Sequence, residues 1–248
     1  MIAVILTVLF VFGAITVGRD GTAKALIGIM GNVIVLISII FFIWIGVSGW
    51  IAVIAGCVFM ALISLFYQNG VNEKTKTAFL SVGIMMICLG VISYFVIKVG
   101  NLQGFPVGQF AIRESNGYLG NVGVDFLILQ VGVVLIMLEG AMVDTSISVA
   151  SSMEEVGFHS SASKDELFRS GMAVGRGILS STINTLFFIF LGQNLIFFLF
   201  FKNDYTWVSM LNSKVLAQEL AGMLMCAIGC VSIIPVTAFI GSKFLERK

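Results

Sequence analysis

Long apolar runs separated by short polar patches set the pattern of this chain. No charged residue occurs from Met1 to Gly18, Arg19 to Lys24 forms a compact charged patch, and a second charge-free run extends from Ala25 to Asn72. A membrane crossing by a helix takes about 20 consecutive apolar residues. The second run is therefore long enough for two helices and is expected to fold back near Gly46 to Gly49. Seven spans are predicted: Met1 to Gly18, Ala25 to Ile45, Trp50 to Tyr67, Thr77 to Ile97, Val124 into the Ser146 to Ala150 region, Val174 to Phe198, and Leu216 to Ile240. A polar link from Asn69 to Lys76 precedes the fourth span, and a loop from Gly100 to Asn121 with Pro106, Arg113 and Glu114 follows it. The opening Met1-Ile2-Ala3-Val4 lacks the basic stretch of a secretory signal, so the first run is expected to be retained as a span.

Strand-length alternation between polar turns, the mark of a membrane barrel, is absent. Lipid offers no partner to unpaired backbone groups, which leaves a bundle of helices. The expected fold is an all-α integral membrane protein, one polytopic domain over residues 1–248. Residues 1–120 would carry the first four spans and 121–248 the last three. Composition agrees, with 58% hydrophobic residues, 11% charged residues and a mean hydropathy of +1.07. Its 27 glycines and two prolines suit long helices in close contact. Gly28, Gly31, Gly222 and Gly229 are candidate contact points.

Lipid is thus the first partner, and a net charge of +1 offers nucleic acid no basic platform. The basic residues of the connections set the orientation. Nine would share the side of the Arg19 to Lys24 patch (Arg19, Lys24, Lys74, Lys76, Lys164, Arg169, Lys243, Arg247 and Lys248), against Lys98, Arg113, Lys202 and Lys214 opposite. Positive charge favours the cytoplasm, placing the N-terminus outside and the C-terminus inside.

The only sizeable cytoplasmic element would lie between the fifth and sixth spans. Thr145 to Val156 should continue the fifth span beyond the bilayer and fray near Gly157. Ser163-Lys164-Asp165-Glu166 has capping-box spacing and should start a second helix. Leu167, Phe168, Met172 and Val174 give that helix an apolar face, which should lie along the inner surface before the chain turns into the sixth span.

Ionisable residues inside these runs carry the candidate chemistry, because a charge at the bilayer centre costs roughly 2.5 to 3.5 kcal/mol. Glu139 and Asp144 fall in the inner half of the fifth span. The sixth answers with Arg176, Ser180, Ser181, Asn184 and Thr185. Arg176, Ser180 and Asn184 recur at four-residue steps on one face, and Gln130 and Asp144 share a face of the fifth span. Two readings remain open. Asp144 could exchange a proton while pairing with and releasing Arg176, or the two could form a fixed pair that docks the helices. Glu139 lies about 140° from Asp144 on an ideal helix and faces elsewhere, toward a partner chain on this reading.

Glu219 belongs at the outer interface, and Asp125 reads as a solvated carboxylate at a span end. His159, the only histidine, sits in a serine-rich loop. Cys226 and Cys230, with Cys57 and Cys88, read as small buried thiols. No nucleophile and base pairing, metal motif or phosphate loop appears, so neither an enzyme nor a cofactor is expected.

The segment Gly140-Ala141-Met142-Val143-Asp144-Thr145-Ser146-Ile147-Ser148-Val149-Ala150-Ser151-Ser152 resembles the signature of the YibE/F membrane protein family. Glu166 to Met172, Gly175-Arg176 and Asn184-Thr185-Leu186 resemble its second block in order and spacing. Glu219 followed by Pro235-Val236-Thr237 resembles its C-terminal block. Gly177, where an acid is expected, and Ser180, where glycine is expected, depart from the pattern. From Asn121 onward the resemblance is specific, whereas the first four spans share only hydropathy. The same stretch is more distantly similar to the membrane half of SecF in the SecD/SecF export machinery, of the RND type. There Asp144 falls on an acid and Arg176 on a basic residue of the proton pathway.

The resemblance implies a subunit of a proton-coupled transport or export assembly in the bacterial cytoplasmic membrane. It also implies a homologous YibE-like partner or self-association. The alternative is a scaffold or sensor that transports nothing. Orientation can be checked directly. Single cysteines near Lys74 and Lys164, on a cysteine-free background, should be shielded from an impermeant outside reagent while one near Arg113 reacts; the reverse pattern would invert the topology.

Overall fold

The structure, a computed structural model, describes residues 1–104, 125–159, 163–204 and 206–245. The rest of the expected loop, with Pro106, Arg113 and Glu114, lies outside the described residues, as do Arg247 and Lys248. Helices follow in the order α1 (Ile2–Trp44), α2 (Gly49–Leu62), α3 (Glu73–Val99), α4 (Phe126–His159), α5 (Lys164–Asp204), α6 (Trp207–Leu211) and α7 (Lys214–Phe244). A π-helical turn, Ile63–Tyr67, extends α2. Among the described residues there is no strand, and six helices are long and apolar enough to cross a membrane.

Local chemistry explains the helix ends. The reversal between α1 and α2 turns on Gly46 at φ +90°, a conformation that side-chain-bearing residues seldom adopt, so the expected fold-back stands. Asn72 starts α3 with a reciprocal cap, its side chain accepting from the Thr75 amide at 3.0 Å while its own amide donates to Thr75 Oγ1 at 3.0 Å. The Ser163 box at the head of α5 forms as its spacing predicts. The Ser163 amide donates to Glu166 Oε2 at 2.9 Å, and the Glu166 amide to Ser163 Oγ at 3.4 Å.

Two expectations differ from the structure. No turn separates a first span from a second, because α1 runs unbroken through Arg19 to Lys24. Polar side chains do not stop a helix by themselves. That patch has no proline, and one interior glycine costs only about 1 kcal/mol. Nor does a separate surface helix precede the sixth span, since α5 continues from Lys164 to Asp204 in one piece. Its Gly171 and Gly175 stay helical because Met153 of α4 and Ile234 of α7 pack directly over them.

The core forms around α4, which packs against α2, α3, α5 and α7, whereas α1 lies at the edge against α2 and its π-helical turn. Val131, Leu138, Met142, Val149 and Met153 of α4 are fully buried, as is Ile233 of α7. The glycines marked in the sequence do sit at helix contacts: Gly28 against Gln68, Gly31 against Ile63, Gly222 against Met137 and Gly229 against Leu138.

Polar clamps bind the two ends of the bundle. Lys74 at the head of α3 pairs with Glu154 near the end of α4 at 3.2 Å. At the far end of α3, Lys214 and Gln218 of α7 donate to the carbonyls of Gln103 and Leu102. The Asn69 to Lys76 link and the end of α4 therefore share one side, opposite the start of α7.

A methyl group at Gly175 would lie 3.2 Å from Ile234 Cβ, whereas one at Gly140 meets no atom within 4 Å. Gly175→Ala should cost about 1 to 3 kcal/mol by forcing α5 away from α7. Gly140→Ala should be neutral or gain up to about 1 kcal/mol. Thermal loss of the monodisperse peak in detergent measures both, and equal melting of the two variants would contradict this packing.

Candidate functional site

Successive residues of α4 point about 100° apart, and one buried contact sets which way each points. Ser146 Oγ and Thr237 Oγ1 of α7 are 2.9 Å apart, both buried. Beside them the Thr145 hydroxyl donates to the Ala141 carbonyl at 2.9 Å and lies 3.6 Å from Cys230 Sγ. With Thr145 and Ser146 turned toward α7, Asp144 is turned outward and is exposed at the bundle surface. Gly140 shares that outward strip, and Ser148, half-buried one turn further on, donates to the Asp144 carbonyl at 2.8 Å. Asp144 stands ten residues from the Glu154 clamp, about 15 Å along the helix axis and well inside the apolar span.

On α5 the polar residues also face outward. Arg176, Gly177, Ser180, Ser181, Asn184 and Thr185 are exposed, while Gly175 is buried against Ile234 and Ile178 and Leu179 pack on the core. The two polar strips expected to meet between the helices instead lie outside the contact. Asp144 and Arg176 form no ion pair; among the described residues the pairs are Lys74–Glu154 and Lys76–Glu73. Apolar and small residues fill the α4–α5–α7 contact, so the charged strips turn to the surface. Register still brings them near one level. Gly171 packs on Met153, and antiparallel counting from there sets Asp144 level with Ser180 and Arg176 about one turn away. Gln130 is half-buried and Glu219 exposed. Asp125 is exposed and caps α4 by accepting from the Leu127 amide at 2.8 Å.

Glu139 is placed unlike the others. It is 4% exposed and turned toward α2 and α3 within this chain, not toward a partner as the helical angle alone suggested. It lines a groove of about 790 Å³ whose walls are otherwise apolar, formed by Trp50, Ile54, Cys57 and Ala61 of α2 and Gly83, Ile87 and Tyr94 of α3, among others. Both carboxylate oxygens are buried without a hydrogen-bond partner. The Cys57 thiol and the Ala61 backbone stand beside them without reaching hydrogen-bond geometry.

Sequence reasoning missed the Ser146–Thr237 pair and the groove. Of the paired hydroxyls only Thr237 left a trace, since it sits in an otherwise apolar run while Ser146 stands among Asp144, Thr145 and Ser148. The groove had none, because it depends on how α2 and α3 splay. Among the described residues no group of three His, Cys, Asp or Glu side chains could hold a metal ion. What the arrangement offers is two carboxyl groups, Glu139 and Asp144, at two depths and on two faces of one helix.

A family model described as YibE/F-like protein matches residues 6–247. No curated protein and no solved structure matches the chain.

Asp144 has no ionic partner among the described residues, so Asp144→Asn should leave the melting of the isolated chain within about 0.5 kcal/mol of wild type. Breaking a buried pair would cost about 3 to 5 kcal/mol. A loss of that size in a detergent melt would show that Asp144 and Arg176 pair within one chain.

Proposed function

The chain belongs to the YibE/F-like family, and we propose that it is the membrane subunit of an ion-gradient-coupled transport or export assembly, with the proton as coupling ion. One observation carries the reading: Asp144 and Arg176 are exposed on apolar helices and have no ionic partner among the described residues. Left against lipid, the two would cost on the order of 5 to 7 kcal/mol. A second membrane subunit that covers the α4 and α5 strips removes that cost. The small residues Gly140, Gly177, Ser180 and Ser181 on those strips allow close helix approach. The homologous partner implied by the sequence resemblance fits the same face, as does a second copy.

Within such an interface Asp144 would alternate between two states. Deprotonated, it pairs with Arg176 or with a cation or donor of the partner; protonated, it releases that group. Each state favours one packing of α4 against the covering helices, which is how proton occupancy biases a two-state assembly. Asn184 and Thr185 continue the polar strip along α5 and supply hydrogen-bonding groups for water between the subunits. On this reading the protein sits in the bacterial cytoplasmic membrane with its N-terminus outside. A scaffold or sensor would use the same covered face but would move no protons.

The assembly purified from native membranes in mild detergent should contain a second membrane protein in fixed ratio, or a second copy of the chain. In proteoliposomes with an imposed pH gradient and an internal pH-sensitive dye, wild type should speed decay of the gradient. Asp144→Asn should reduce that flux to the level of empty liposomes while co-purification persists. Unchanged flux in Asp144→Asn/Arg176→Gln would rule out the relay.

A further inference from the structure

We propose that the groove around Glu139 is a binding site for a primary alkylammonium amphiphile, which enters sideways from the lipid and places its nitrogen on the carboxylate. The site is separate from the outward strip of Asp144, and the inference does not rest on proton coupling. Its volume of about 790 Å³ lies within the roughly 300 to 1,000 Å³ of small-molecule pockets. Such pockets combine apolar walls with a few placed polar groups, and here Glu139 is the only ionisable carboxylate among the lining residues. Ile54, Ile87 and Val91 line the groove and are exposed at the bundle surface, so it opens laterally toward lipid.

The carboxylate decides the class of ligand. It is 4% exposed, both oxygens lack a hydrogen-bond partner, and no cation of the described residues pairs with it. An acyl chain alone would satisfy the walls and leave both buried oxygens unpaired, an unfavourable arrangement in an apolar site. A phospholipid headgroup cannot reach it. Glu139 stands roughly midway along α4 between Asp125 and Glu154, about 20 Å from each, whereas headgroups stay at the surface. A primary ammonium brings three N–H donors for the two oxygens and stays protonated at neutral pH, like the lysine amine near 10.4. Its hydrocarbon chain fits the remaining length. From Ala61, beside Glu139, the groove runs about 16 Å along α2 to Trp50, whose ring lies 5.9 Å from that of Tyr94.

The test uses the full chain in phosphatidylcholine nanodiscs without any gradient, so its failure leaves the transport reading standing. Dodecylamine, 1-dodecanol and dodecanoate are titrated by calorimetry against empty nanodiscs. Dodecylamine should bind saturably at one site, at least about tenfold more tightly than the alcohol or the acid. Glu139→Gln should remove that preference. Gly83→Leu provides a variant that keeps the carboxylate, since Gly83 lines the groove and a Cβ there meets no atom within 4 Å. Its side chain should occlude the groove and weaken amine binding by at least about tenfold. Equal affinity for amine and alcohol, undiminished binding in Glu139→Gln, or undiminished binding in Gly83→Leu would each overturn the proposal.

Discussion

The hydroxyl pair between Ser146 and Thr237, 2.9 Å apart inside an apolar contact, holds α4 in one rotational setting against α7. Rotating α4 by one residue's worth of angle would separate the pair and leave two buried hydroxyls without partners, at about 1 to 3 kcal/mol each. Packing on the same contact adds to this, because Gly229 leaves room only for Leu138 and Met142 in their present positions. With the helix fixed in this way, the directions of its two acids follow from the helical repeat. Glu139 points between α2 and α3, and Asp144 points away from the bundle.

That separation divides the chemistry of the chain. The outward face, with Asp144 on α4 and Arg176 on α5, is charged where a helix bundle ordinarily meets lipid. The inward face keeps an acid out of contact with both water and the other charges. Thr145, whose hydroxyl donates to the Ala141 carbonyl and lies 3.6 Å from Cys230 Sγ, faces α7 beside Ser146. No described side chain forms a hydrogen-bonded route from Glu139 to Asp144.

Much of this was legible in the sequence and some was not, for physical reasons. Apolar runs identify membrane helices because the bilayer demands length and apolarity, and the ends of α2, α3 and α7 fall close to the expected span limits. The turn at Gly46 and the cap at Ser163 were readable because each depends on a few neighbouring residues. Breaks are harder. The patch from Arg19 to Lys24 has the composition of a loop but no residue that forbids a helix, and α1 passes through it. Membership of the YibE/F-like family was readable from the motif around Asp144. Periodicity correctly put Arg176, Ser180 and Asn184 on one face of α5. It could not say whether that face looks inward, because in a membrane both sides of a helix are apolar and the usual contrast with water is missing. Gly175 held the answer, since its closeness to Ile234 turns the polar strip outward.

The position of Glu139 also bears on the order in which the protein is made. A helix carrying both Glu139 and Asp144 enters the bilayer poorly by itself. Synthesis runs from the N-terminus, so α2 and α3 emerge before α4 and can stand in the membrane as walls when the acid arrives. In the folded chain those same two helices supply the walls of the groove around Glu139. The stretch from Phe126 onward, which holds the family motif, would face lipid with a bare carboxylate at mid-depth if it were made without them.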